Sequence, residues 1–314
     1  MIVVAGESLI DLVPDGAAPG PGPLPALVPR RGGGPYNTAV ALGRLGASVT
    51  FCSRVSTDAF GEALMDGLRA AGVATELVQR GPEPTTLAVA SVGADGSAEY
   101  GFYVEGTADR LFALPERLPE DVRAVAFGTC SLALEPGASA YEALLRREAG
   151  RGALTLLDPN IRPGLIPDAA AYRERFTSWL PYVSVLKLSE EDAAWLDGTP
   201  AGWLERGPSA VVVTRGAAGL TVHTPSYEVS VTAIRVEVAD TIGAGDTVNA
   251  ALLHGLGDRP VHALDPEAWS ALLTYAARAA ALTCTRPGAE PPYANELGIS
   301  PSGGPPTPPG VGGV

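Results

Sequence analysis

The chain has 314 residues, with 22 Lys and Arg against 35 Asp and Glu and a formal net charge of −13. That field argues against nucleic acid and anionic membranes as partners, so an anionic nucleotide has to be met by locally placed donors. Apolar residues make up 46%, enough for the core of one large α/β domain or two small ones. No run of about 20 apolar residues escapes Gly, Pro or charge, so no membrane span is expected. Cys52, Cys130 and Cys284 are odd in number, far apart and not in metal-like spacing. His223, His254 and His262 form no ligand pair on a helix face. Met1–Ala5 carries no basic region of a secretory signal, and a reducing cytoplasm is the expected setting.

In chain order, Ile2–Ala5 is a short continuous apolar run of the kind found in a buried parallel strand. Leu9–Val13 places one carboxylate, Asp11, among apolar residues, which is also how a solvated edge strand looks, and Pro14–Pro29 is rich in Pro and Gly. Thr38–Leu45 reads as a helix after a Gly turn, Ser48–Cys52 as the next strand and Gly61–Ala71 as a helix stopped by Gly72. Leu87–Val92 and Glu99–Glu105 flank Gly93-Ala94-Asp95-Gly96, a hairpin signal. Their mixed polarity suits a small antiparallel sheet lying over the domain. Buried strands are expected at Ala124–Phe127, Leu154–Leu157, Val183–Leu186 and Ala210–Thr214, with Leu220–His223 as a return strand. Helical segments fall near 139–149, 169–179, 190–196 and 267–284. Such repeated βα units imply a mostly parallel sheet covered on both faces. Residues 301–314 are Pro/Gly-rich with little apolar bulk and are expected to be disordered.

Two glycine turns carry the chemistry. Asp240-Thr241-Ile242-Gly243-Ala244-Gly245-Asp246-Thr247 runs into the apolar stretch Val248–Leu256. A helix starting there points unpaired N–H groups and the positive end of its dipole into the turn, which suits an anion. Asp246 is the odd member: a carboxylate beside an anion turn suits a base, although an ordinary Asp cap is the plain alternative. The other turn, Gly32-Gly33-Gly34-Pro35-Tyr36-Asn37-Thr38-Ala39, lets the backbone approach a ligand, with the Asn37 amide at the helix start. Neither the dinucleotide fingerprint nor the lysine-bearing phosphate loop is present.

Taken together, these motifs resemble the ribokinase-like (PfkB) family of sugar kinases, most closely its fructokinase branch, over nearly the whole chain to about residue 296. Gly6-Glu7-Ser8-Leu9-Ile10-Asp11 is similar to the family's opening strand, Gly32–Asn37 through Gly61 to its first motif and Asp240–Gly255 to its second. Asp158-Pro159-Asn160-Ile161-Arg162-Pro163, Tyr103–Asp109 and Thr285–Ala289 resemble the fructokinase branch. The resemblance implies a three-layer α/β/α ribokinase-like domain over 1–296, with a mostly parallel central sheet. A small antiparallel β lid would come from about 9–30 and 87–105.

It further implies an ATP- and Mg²⁺-dependent transfer of phosphoryl to a sugar primary hydroxyl, fructose first. Ribose, 2-keto-3-deoxygluconate or a nucleoside are the other acceptors, and a sensor without catalysis is the alternative outside the enzymes. Asp246 would be the base, and the N–H groups of Gly243, Ala244 and Gly245 would meet the transferred phosphoryl group. Asp11, Gly33, Asn37 and Arg162 would read the sugar hydroxyls, with Tyr103 on the lid covering them; Arg162 could instead bridge Asp158 or a loop carbonyl. Lys187, following a strand, would meet a phosphate, and Glu190 would hold hydrated Mg²⁺, unless Glu190, Glu191 and Asp192 only form an acidic first helical turn. Thr214, Gly216 and Gly219 would hold the nucleotide, or only a hairpin turn. Adenine would lie near helix 267–284, unless its Ala run only packs the core, and Asp240 with the carbonyls of Ile242, Thr283, Arg286 and Gly288 would form a potassium site, unless Asp240 is merely structural. A homodimer through the lid is compatible with the same resemblance, as is a monomer.

Overall fold

The computed structural model describes residues 1–15, 25–92 and 98–299. The expected tail at 301–314, the turn Gly93–Gly96 and residues 16–24 of the Pro/Gly-rich stretch lie outside the described residues. The chain opens with β1 (Ile2–Ala5), leaves through β2 (Leu9–Pro14) and β3 (Leu27–Gly32), and returns by α1 (Gly34–Arg44) to β4 (Val49–Ser56). α2 (Ala59–Ala70) and β5 (Val78–Gly81) follow, then β6 (Leu87–Val92) and β7 (Ala98–Tyr103). The next stretch winds through β8 (Ala124–Gly128), α3 (Gly137–Gly150), β9 (Leu154–Asp158), α4 (Ala169–Trp179) and β10 (Val185–Ser189). It continues into α5 (Glu190–Leu196), α6 (Pro200–Leu204), β11 (Ala210–Thr214), β12 (Leu220–His223) and β13 (Glu228–Val231). α7 (Ala244–Leu256) and α8 (Pro266–Cys284) follow.

One nine-stranded sheet has the order β13-β12-β11-β10-β9-β8-β1-β4-β5. It is parallel from β5 to β11, and β12 and β13 extend it antiparallel. The buried strands read as unbroken apolar runs because both faces are covered. Val4, Ala126, Leu156 and Val212 pack with α1, α2, α7 and α8, where Trp269 is fully buried. Their neighbours Val3, Val125, Leu157 and Val211 point the other way, into a core with Tyr141, Phe176 and Trp179. The result is three layers, α/β/α. From β1 the chain winds to β4 on one side, while β8 takes the other, so a crevice opens at the carboxyl ends of β1 and β8, where such sheets bind ligands.

Several boundaries differ from the sequence reading. α1 begins at Gly34, ahead of Thr38, because Pro35 is already suited to a first helical turn. Lys187 lies inside β10, paired in register with Val212, so the strand continues through it rather than ending before it. β3 (LVPRRG) goes unforeseen because it carries a Pro and two Arg, and β5 (VQRG), β13 (EVSV) and α6 (PAGWL) because none holds a continuous apolar run or a helical period.

The second sheet has the order β3-β2-β6-β7. Its outer pairs are antiparallel and the middle pair, β2 with β6, is parallel. Asp11 therefore sits on an inner strand, not on an edge, and the lid strand β3 runs on to Gly32. No helix among the described residues is long and apolar enough to cross a membrane.

Candidate active site

The turn before α7 is fixed by its own carboxylate. Asp240 accepts hydrogen bonds from the Ile242 N–H (3.0 Å) and the Gly288 N–H (2.8 Å), tying the turn to the loop after α8. Gly243 takes φ 78°, and a Cβ there would lie 2.6 Å from that of Ala289, so only glycine fits. Gly243 and Gly245 then line the crevice with the helix dipole behind them, whereas the Ala244 N–H, also expected to face an anion, donates to the Thr241 carbonyl at 3.3 Å. Thr247 and the fully buried Thr283 join their hydroxyls at 2.9 Å beneath it.

Asp246 is 8% exposed and accepts a hydrogen bond from Asn37 Nδ2 at 2.9 Å, while Thr38 Oγ1 donates to its carbonyl at 3.3 Å. The glycine turns at the heads of α1 and α7 therefore meet across the crevice. Burial lifts the Asp246 carboxyl from its ordinary 3.8 to about 7 against the opposing Asn37 hydrogen bond. Asp158 adds to the rise, while Lys187 and Arg162 oppose it. A carboxylate poised near neutral pH matches the demand on a general base.

Asp246 opens into a cavity of about 350 Å³ between the lid and the carboxyl edge of the sheet. Asp11, Gly33, Asn37, Arg162, Lys187, Ile242, Gly243 and Gly245 also line it, so the residues expected on the sugar side converge there. Asp11 is pushed up to about 6 by burial, opposed by the positive charge of Arg162. Gly33 takes φ 103°, and a Cβ would stand 2.9 Å from the Glu7 carbonyl. Arg162 is braced by its own loop, donating to the Asn160 carbonyl (3.1 Å), Asn160 Oδ1 (2.8 Å) and the Ile161 carbonyl (3.1 Å). That loop is anchored by Asp192, which accepts from the Ile161 N–H at 2.7 Å. Thr129 (φ 59°) and Asn160 (φ 36°), both lining the cavity, hold positive-φ backbone, which is unusual for the β-branched threonine.

Tyr103 does not join this group. Its side chain is 65% exposed, and Tyr100 and Phe102 line the cavity in its place. The reason is the two-residue period of β7, which sends alternate side chains to opposite faces.

Lys187 is 4% exposed, and its ammonium sits 2.7 Å from Asp158 Oδ2, so its direct partner is a carboxylate rather than solvent. The same ammonium abuts Gly245, where a Cβ would come within 2.9 Å. Glu190, the first residue of α5, is 59% exposed and pairs with Arg215 at 3.2 Å. An exposed single carboxylate fits a magnesium ion that keeps most of its waters and meets phosphate oxygens. Thr214 closes β11 and donates weakly to the Leu188 carbonyl at 3.5 Å. Gly216 has open space around it, but a Cβ on Gly219 would overlap the Val231 carbonyl, so the β12–β13 approach requires that glycine. At the proposed potassium position the Thr283 and Gly288 carbonyls already accept the Arg286 N–H (3.1 Å) and Glu290 N–H (2.9 Å). Each carbonyl keeps a second lone pair, while both Asp240 oxygens accept backbone N–H groups, a structural task of their own. Tyr275 bonds His254 Nδ1 at 2.9 Å in the α7–α8 contact.

Glu7, Thr129, Tyr100, Phe102, Asn160, Asp158 and Asn249 were not foreseen as site residues. A signal existed for Asn249, three residues after Asp246 and so on the same helix face. Asp158 and Asn160 belong to the segment Asp158–Pro163, but no local pattern says which side chain meets which helix.

With this geometry in view, the likeness to known proteins is specific. The family model described as pfkB family carbohydrate kinase matches residues 1–295. A fructokinase from Rhizobium leguminosarum bv. trifolii is 39% identical over 265 residues, 82% of this chain and 79% of that protein. Among solved structures, a Xylella fastidiosa fructokinase with bound ATP superposes with TM-score 0.83 and 29% identity, covering 94% of this chain and 96% of that one. A Vibrio cholerae O395 fructokinase, bound to fructose, ADP and calcium, gives TM-score 0.79 and 26% identity over 92% of this chain and 94% of its own.

Proposed function

The chain belongs to the pfkB family of carbohydrate kinases, and from that premise we propose that it transfers the γ-phosphoryl group of ATP to the O6 hydroxyl of fructose. The observation that carries this reading is the buried Asp246 carboxyl, held by Asn37 at the head of α7 and facing the cavity beside the glycine turn. Asp246 takes the proton of the attacking hydroxyl as that oxygen bonds to phosphorus and the bond to the ADP oxygen breaks. The Gly243–Gly245 turn and the start of α7 stabilise the charge on the moving phosphoryl group. Asp11, Gly33, Asn37 and Arg162 orient the sugar, and Tyr100 and Phe102 take the covering role first expected of Tyr103. The lid keeps out water, the competing acceptor.

Lys187, Thr214, Gly216 and Gly219 belong to the nucleotide side, with Lys187 acting through its place against Gly245. Glu190 would hold hydrated Mg²⁺, which when bound neutralises phosphate charge. Asp240 with the carbonyls of Ile242, Thr283, Arg286 and Gly288 would hold K⁺ beneath the turn. We take residues 1–296 as one kinase unit, with Tyr103 on the lid's outward face as a contact in a homodimer. Free Cys52, Cys130 and Cys284 support a reducing, cytoplasmic setting.

ADP release measured with fructose, ribose, 2-keto-3-deoxygluconate and adenosine tests the reading. Fructose should give the highest kcat/KM. A higher value with another acceptor replaces the substrate, and binding without turnover for all four makes the protein a sensor.

A further inference from the structure

The mechanism above leaves a buried carboxylate unexplained. Asp158, at the end of β9, is 3% exposed, and one oxygen, Oδ2, receives both Lys187 Nζ and Asn249 Nδ2 at 2.7 Å. Its other oxygen, Oδ1, is buried, as are Asn249 Oδ1 and Thr129 Oγ1, and none of the three has a hydrogen-bond partner among the described residues. All three residues and Asp246 border one small pocket of about 10 Å³. That is the room a single water needs, and a water requires two to four polar partners to settle. It would donate to Asp158 Oδ1 and Asn249 Oδ1 and accept the Thr129 hydroxyl proton, relieving three groups that are costly to bury unpaired.

We infer that Asp158 is a positioning residue for the base: it fixes the Lys187 ammonium against Gly245 and, with Asn249 and Thr129, holds one water behind Asp246. The inference rests on Asp246 being the base but adds a part of the site that chemistry at the cavity does not need directly. Asn249 belongs to α7, the helix that carries Asp246, so its bond to Asp158 ties that helix to β9. The charged groups around Asp246 come from several elements. Arg162 follows β9, Asp11 lies on the lid and Glu7 follows β1. Asp158 and Lys187 are the two that face it from the sheet, and they act on it with opposite sign. Holding them at contact distance sets their effects against each other, with burial the largest influence on when Asp246 accepts a proton.

Carbon-13 NMR of aspartate-labelled protein reads the Asp246 titration without any turnover, with its resonance identified by its loss in Asp246→Asn. Asp158→Asn should lower the Asp246 midpoint by about one pH unit and Lys187→Met should raise it by about the same. The double variant should return close to the wild-type midpoint. A merely structural role would not move the two single variants in opposite directions. A midpoint unmoved in both single variants overturns the inference. So does a crystal structure of the wild-type protein, at a resolution that shows waters, without one joining Asp158, Asn249 and Thr129. That second measurement decides even if a variant does not fold. Absence of ADP release by the wild type, a separate result, counts against the kinase reading alone.

Discussion

Asp246→Asn exchanges one oxygen for an amide at a site that is 8% exposed, keeping the shape and an oxygen for the Asn37 amide. Two consequences of opposite value follow. The base is lost, which should lower kcat by 10²–10⁴-fold, roughly what a positioned proton acceptor supplies. The folded protein should gain stability, and the gain should depend on pH. The Asp246 carboxyl titrates at about 7 when folded against an ordinary 3.8, so between those values the folded state holds a proton that the unfolded state has released. Stability from this group is therefore complete below about pH 4 and is lost as pH rises through 7, by about 4 kcal/mol in all. Asparagine has no such loss. The difference in unfolding free energy between variant and wild type should widen by about 2–3 kcal/mol from pH 5 to pH 8. Urea unfolding at both pH values measures it, and calorimetric titration with ATP should show unchanged nucleotide affinity. A difference that stays flat between pH 5 and pH 8 refutes the raised proton affinity. Turnover close to wild type refutes the role as base.

Other outcomes follow from the same geometry. Wild-type kcat/KM should fall about tenfold per pH unit below about pH 7, as Asp246 is protonated, and a profile flat down to pH 5 would remove that assignment. Gly34→Ala should lower kcat by about 10²-fold with circular dichroism unchanged, because the new methyl would stand 2.6 Å from Thr129 Cγ2 and 3.2 Å from Asp246 Oδ1. Tyr100→Ala should raise the KM for sugar by about tenfold and Tyr103→Ala by less than about twofold, since only the former faces the cavity. Glu190→Gln should raise the magnesium concentration for half-maximal activity by about tenfold; an unchanged requirement would make Glu190 only part of an acidic helix start.

The parts of this protein set by local pattern were legible from the chain alone. Buried strands announce themselves as apolar runs bounded by turns, as in Ile2–Ala5 and Ala210–Thr214, because a covered parallel sheet needs apolar side chains on both faces. The two glycine turns and the helices after them were equally plain, since turn, helix start and dipole are properties of a few consecutive residues. What escaped were features that depend on partners. β3 carries no strand composition and is held by β2, and Tyr103 and Tyr100 differ only in the face that β7 gives them. Asn37 and Asp246 meet across 209 residues of chain, and Asp158 and Asn249 across 91. Such meetings are set by the order in which the strands join the sheet. The sequence by itself determined that a glycine turn at a helix start carries an acid. The tertiary structure alone decided that this acid is buried, held by an amide from the other turn, and backed by a carboxylate–ammonium pair. Proton affinity follows the dielectric and charges that surround a group, and those come from residues distant in the chain.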